Sequence, residues 1–188
     1  MMLKWQKYQR GSQCSMRFHN ITKDDMLNGE GLRTVLWVAG CSHNCRECHN
    51  PVTWDIRGGI PFDEDAKKEV FESLEKPYIS GLTLSGGDPL HPDNREGVSK
   101  LIDEVCEKFP NKTIWLYTGY RWESISSIPC IKKVDVVIDG EFVASLKDPK
   151  LHWVGSSNQR VIDVQRSLFT GEVILHENAT VQERHHLD

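Results

Sequence analysis

The stretch Thr34-Val35-Leu36-Trp37-Val38-Ala39-Gly40-Cys41-Ser42-His43-Asn44-Cys45-Arg46-Glu47-Cys48-His49-Asn50-Pro51 runs from an apolar, β-branched segment straight into a loop with three cysteines in eight residues. The apolar segment, bounded by Gly40, reads as a buried strand. Packing rarely calls for such thiol density on a loop, so the C-x3-C-x2-C spacing needs a chemical reason. Cys41, Cys45 and Cys48 can bring three soft thiolates to one point, which suits an iron–sulfur cluster or zinc. Three ligands fall one short of closing either site. The spacing alone leaves open a [4Fe-4S] cluster with one uncommitted iron and a Cys3His zinc site completed by His43 or a distant histidine. A disulfide is the weakest option, because it would strand the third thiol. An open coordination position marks a catalytic metal rather than a structural one.

Working outward, the chain alternates between the two kinds of regular structure. Asp63 is placed to cap a helix over 63–76, with Ala66, Val70, Phe71 and Leu74 near helical spacing and Pro77 closing it. Residues 81–85 form a short strand that ends in Gly86-Gly87-Asp88-Pro89. Val98, Leu101, Ile102, Val105, Cys106 and Phe109 then share one helix face. Strands are expected at 113–117, 134–138 and 160–163, a short helix around 122–127, and a late strand at 172–175. Alternating strands and helices point to an α/β fold with a mainly parallel sheet, whose ligands gather at the carboxyl ends of the strands. Gly40-Cys41, Ser85-Gly86-Gly87-Asp88, Thr118-Gly119 and Asp139-Gly140 each follow an expected strand, and that coincidence marks one site.

With 188 residues the chain is expected to form one domain over 16–188. Residues 1–15 are polar and aperiodic, and Met16 is expected to be the functional start, which makes them a flexible extension. The composition, 38% hydrophobic and 27% charged with a net charge of −4, lacks the basic excess of a nucleic-acid-binding domain. No run approaches the 18 or so apolar residues of a membrane span, and the first residues lack the apolar core of a secretory signal. A cytoplasmic location follows, where clustered cysteines favour metal or redox chemistry. Cys14, Cys106 and Cys130 lack partner spacing and read as free structural thiols.

Cys41-x3-Cys45-x2-Cys48 resembles the cluster motif of the radical S-adenosylmethionine enzymes. More narrowly, the chain is similar to the glycyl-radical activases of the type serving anaerobic ribonucleoside-triphosphate reductase. The likeness rests on Asn28-Gly29-Glu30-Gly31-Leu32-Arg33, on the cysteine loop with Asn50 and Trp54, and on Leu84-Ser85-Gly86-Gly87-Asp88-Pro89-Leu90-His91-Pro92. Further matches are Thr118-Gly119-Tyr120, Asp139-Gly140-Glu141-Phe142-Val143, Leu146-Lys147-Asp148-Pro149 and Gly155-Ser156-Ser157-Asn158-Gln159, all in family order.

The resemblance implies a radical S-adenosylmethionine oxidoreductase with an incomplete (β/α) barrel, whose open side faces a protein substrate. Its [4Fe-4S] cluster would be held by Cys41, Cys45 and Cys48, with S-adenosylmethionine on the open iron. Reductive cleavage would give a 5′-deoxyadenosyl radical that takes a hydrogen atom from a glycine of the reductase. An unidentified low-potential electron donor is implied as well, and no side chain is needed as acid or base. Gly86 and Gly87 would let backbone approach the methionine end, and Glu47 and His49, flanking Cys48, would contact adenosine. Many such enzymes carry an aromatic where this chain has Glu47, so its contact is expected through backbone. Asp88 reads equally as a turn residue or a ligand; His43 and His91 read as loop hydrogen-bonding groups. Gly155 to Gln159 is expected to help in docking or in closing the site. Alternative targets are pyruvate formate-lyase or another glycyl-radical enzyme; the alternative of a different class is a Cys3His zinc-binding interaction module.

Overall fold

Residues 16–180 are described by the computed structural model; Cys14 and the expected extension over 1–15 lie outside the described residues. Runs of β-branched and aromatic residues form the strands. These are β1 (Arg17–Asp25), β2 (Leu32–Val38), β3 (Ile60–Pro61), β4 (Ile79–Gly86), β5 (Thr113–Tyr117), β6 (Val136–Asp139) and β7 (Arg160–Asp163). The helices are α1 (Glu64–Leu74), α2 (Arg95–Lys108), α3 (Trp122–Ile125) and α4 (Val164–Thr170). Asp63 caps α1 as its position suggests, accepting the Ala66 N–H at 3.0 Å. Asp163 does the same for α4, which Gly171 ends in the left-handed conformation.

The strands make one seven-stranded sheet in the order β3-β1-β2-β4-β5-β6-β7. Its centre, β2-β4-β5-β6, is parallel. The flanks are antiparallel, with β1 on β2, β3 on β1, and β7 on β6. Two features depart from the sequence expectation. The strand β1 is mostly polar and carries only Phe18 and Ile21 as large apolar residues, too few to stand out as a run. The expected strand at 172–175 is reduced to a single bridge between Ile162 and Leu175.

Strand alternation divides the sheet into two faces. Leu36, Val38, Leu82, Leu84, Leu116 and Val137 pack with Val70 and Leu74 of α1 and with Val98 and Ile102 of α2 in the main core. Trp115, Val136, Ile138 and Val161 form a smaller cluster on the opposite face, with Tyr117, Trp153 and Val154 packed against it. Arg33 lies on that second face and is fully buried. Its guanidinium donates to the Thr83 hydroxyl at 2.6 Å, to Leu82 O at 2.8 Å and to Thr113 O at 2.9 Å, and it lies 5.2 Å from the centre of the Trp115 ring. Burial pulls its pKa down to about 10, so it remains charged at neutral pH while tying β2, β4 and the start of β5 together.

Replacing Arg33 by alanine would open a cavity and leave those carbonyls without a donor. Arg33→Ala is therefore expected to lower stability by about 3 kcal/mol or more in urea unfolding; a loss below about 1 kcal/mol would show that the guanidinium does not brace the sheet.

Candidate metal centre

The parallel centre of the sheet aligns the carboxyl ends of β2, β4, β5 and β6, and the four loops picked out in the sequence leave from that edge. They wall a cavity of about 500 Å³ that contains Cys41, Cys45 and Cys48 together. That volume lies in the usual range for small-molecule and cofactor sites, roughly 300–1,000 Å³. Gly86, Gly87 and Asp88 after β4, Thr118 and Gly119 after β5, and Gly140, Glu141 and Phe142 after β6 line it together with the thiols. Trp37 and Tyr117 also line the cavity; strand alternation puts both on the Arg33 face, and the motifs did not flag them.

The cysteine loop is tied to its neighbours through backbone. The Gly40 N–H donates to Thr53 O at 2.7 Å and the Cys41 N–H to Trp54 O at 3.0 Å. From the next loop, the Gly87 N–H donates to Val38 O at 2.8 Å and the Asp88 N–H to Gly40 O at 2.7 Å. Backbones approach so closely here that a Cβ on Gly87 would lie 2.5 Å from Gly40 O and 2.9 Å from Thr53 O. Buried Asn94 adds two bonds, donating to Ala39 O at 2.8 Å and to Asp88 O at 3.0 Å.

Asp88 is the hub of the site, 1% exposed. Its carboxylate accepts the Leu90 N–H at 2.8 Å, the Thr118 hydroxyl at 3.0 Å and the Gly119 N–H at 3.0 Å. His43 Nε2 lies 2.8 Å from Asp88 Oδ2, and His43 Nδ1 lies 2.8 Å from Glu141 Oε1. Both neighbours are carboxylates, so this pair of contacts favours the doubly protonated ring. The hydrogen bond to Asp88 is the largest cause raising the His43 pKa, and the Glu141 bond acts the same way against desolvation. With both ring nitrogens engaged by carboxylates, the arrangement argues against His43 as the fourth ligand of a zinc site. The alternatives open for Asp88 resolve toward a turn and bridging residue. His91 also serves its loop, its backbone N–H donating to Asp88 O at 3.0 Å and its Nδ1 accepting the Asp93 N–H at 3.3 Å.

The remaining sequence-picked residues divide. His49 is exposed and lines the cavity, its ring 5.6 Å from that of Phe142. Glu47 does not line the cavity; it has a left-handed backbone with φ 59 and an exposed side chain. Gly155 to Gln159 braces the Gly140–Val143 loop. Gln159 Nε2 donates to Gly140 O at 2.9 Å, Asn158 Nδ2 to Glu141 O at 2.8 Å, and the Val143 N–H to the Ser156 hydroxyl oxygen at 3.1 Å. Cys106 and Cys130 lie away from the cavity.

Among the described residues no three His, Cys, Asp or Glu side chains are gathered closely enough to hold a single metal ion, but three thiols lining one cavity are the donor set that a larger iron–sulfur group takes. Burial pushes the Cys41 thiol up to about 11 and raises that of Cys45, so metal loading would release protons from both. The Asn50 N–H donates to Cys48 Sγ at 3.4 Å, the kind of bond that stabilises a ligating sulfur. Trp54 Nε1, in another wall residue, is buried with no acceptor among the described residues.

Known proteins point the same way. Residues 27–162 match the family model of the 4Fe-4S single cluster domain. A protein of Enterobacteria phage T4 named anaerobic ribonucleoside-triphosphate reductase-activating protein is 48% identical over 146 residues, 78% of this chain and 93% of that protein. The chain belongs to this family of activating proteins. Family members of the same name from Escherichia coli (strain K12) and Haemophilus influenzae are 39% and 40% identical, covering 78% and 72% of this chain and 97% and 90% of those proteins.

Asp88→Ala would leave the His43 ring and three further donors without their buried acceptor. It is expected to cost about 3 kcal/mol or more in urea unfolding. A variant within about 0.5 kcal/mol of the parent would mean that Asp88 does not organise the loops.

Proposed function

We propose that the chain activates an anaerobic ribonucleoside-triphosphate reductase by generating a glycyl radical on it. The observation that carries this reading is the convergence of Cys41, Cys45 and Cys48 on one cavity at the carboxyl ends of the parallel strands, in a chain of the activating-protein family. Cys41, Cys45 and Cys48 would hold a [4Fe-4S] cluster, leaving one iron for the amino and carboxylate groups of S-adenosylmethionine. The bound pair would supply reductive cleavage of that molecule, whose 5′-deoxyadenosyl radical takes a hydrogen atom from the target glycine.

The protein's part is to bind, orient and exclude water. The Gly87 and Asp88 N–H groups are already engaged by Val38 O and Gly40 O, so carbonyl oxygens are what this loop can offer, and these suit an ammonium. His49, beside Phe142 on the cavity wall, is placed for the adenosine end, and Glu47 would contribute through backbone alone. The sheet, unpaired between β3 and β7, is read as the incomplete (β/α) barrel of radical S-adenosylmethionine enzymes, with its open side toward the reductase. This reading includes one domain over 16–188, a cytoplasmic setting and a low-potential electron donor. Among the described residues no helix is long and apolar enough to cross a membrane.

The test is anaerobic reconstitution with iron and sulfide, then S-adenosylmethionine, a reductant and a candidate reductase. The expected result is release of 5′-deoxyadenosine and a glycyl-radical signal in electron paramagnetic resonance. A chain that binds zinc alone and releases no 5′-deoxyadenosine would overturn the proposal. Cys41→Ala, Cys45→Ala and Cys48→Ala should each abolish both signals, while Cys14→Ala, Cys106→Ala and Cys130→Ala keep them. Full activity in any of the first three would remove the assigned cluster ligands.

A further inference from the structure

We infer that His43 is a positioning residue that fixes the cluster-bearing loop against the loops that would bind S-adenosylmethionine; this rests on the function proposed above. His43 is not one of the cavity-wall residues. It sits behind them, in the first gap of the cysteine motif, with its side chain 9% exposed. From there one ring meets all three neighbouring strand-end loops. Nε2 bonds Asp88 after β4, Nδ1 bonds Glu141 after β6, and the ring packs edge-on against Tyr120 after β5 at 4.7 Å between centroids.

The fit around the ring is close. A Cβ on Gly119 would lie 2.5 Å from His43 Cδ2, so the β5 loop is shaped to the imidazole. Asp88 is itself fixed by Thr118, Gly119 and Leu90, which makes the inner anchor rigid. The outer anchor, Glu141, is more exposed but lies in the loop clamped by Asn158 and Gln159. The cysteines on either side, Cys41 and Cys45, would inherit that rigidity, as would the distance from their metal to Gly86 and Gly87. Other side chains of the cysteine loop reach one neighbouring loop at most, as His49 does in packing against Phe142, whereas His43 meets three. Ser42 has no side-chain bond of this kind, and Asn44 Nδ2 reaches only Ser42 O at 3.3 Å.

A residue that orients ligands without touching the reacting atoms should alter how the second ligand is bound more than whether the cluster is held. Outer partners of metal ligands are typically worth roughly 10–100-fold in affinity or activity. The experiment compares reconstituted parent, His43→Ala, His43→Gln, Glu141→Ala and the His43→Ala/Glu141→Ala pair. It measures iron and sulfide content, the dissociation constant for S-adenosylmethionine by equilibrium dialysis, and the change that S-adenosylmethionine makes to the resonance signal of the reduced cluster.

The expected result for His43→Ala is parental iron and sulfide with S-adenosylmethionine binding weaker by about tenfold or more and a diminished change in the resonance signal. His43→Gln, which keeps one N–H for Asp88, should recover part of the affinity. Glu141→Ala should weaken binding in the same direction, and the double variant should be no worse than His43→Ala, because both substitutions cut one bridge. Parental affinity in His43→Ala, loss of its cluster, or additive effects in the pair would overturn the inference. If the parent itself fails to bind S-adenosylmethionine, the functional reading fails instead, so the two failures are distinguishable.

Discussion

Asp88 places a carboxylate where the protein leaves it 1% exposed, and a buried charge of this kind persists only if donors surround it. The donors come from different parts of the chain: Leu90 from its own turn, Thr118 and Gly119 from the loop after β5, and His43 from the cysteine loop. Meeting the needs of one carboxylate therefore fixes the relative positions of three loops. His43 extends the constraint to a fourth through Glu141. The shape of the cavity around the thiols follows from this arrangement.

The sheet supplies the platform on which that can happen. Parallel pairing of β2, β4, β5 and β6 brings four carboxyl ends to one edge, and the antiparallel flanks leave that edge intact. Buried Arg33 joins the strands from the other face, toward their amino ends. One end of the parallel strands is thus braced by a cation among carbonyls and the other by a carboxylate among donors. Between them the main core is ordinary aliphatic packing against α1 and α2.

Much of this was legible in the residues. The runs at 113–117 and 160–163 coincide with β5 and β7, and the helix expected at 63–76 appears as α1 with its Asp63 cap. The four strand-end loops were legible because glycine and cysteine punctuate apolar runs. β1 was not, since a mostly polar strand beside the parallel centre draws its stability from pairing with Leu32–Val38 rather than from its own pattern. The antiparallel direction of β7 was also hidden, because direction depends on how the chain crosses from 140 to 159. Within the site, the spacing exposed the thiols, but the His43–Asp88 and His43–Glu141 bonds span 45 and 98 positions. No local pattern encodes such contacts. Glu47 shows the converse: a position beside Cys48 does not bring a side chain into the cavity.

Three thiolates would leave one iron of a [4Fe-4S] cluster open for S-adenosylmethionine, and Mössbauer spectroscopy reads that open iron most directly. The chain would be reconstituted with iron-57 and measured with and without S-adenosylmethionine. One iron of the 4Fe-4S group is expected to change its isomer shift toward higher coordination while the other three stay as they were. A spectrum that S-adenosylmethionine leaves unchanged, with all irons equivalently ligated, would contradict it.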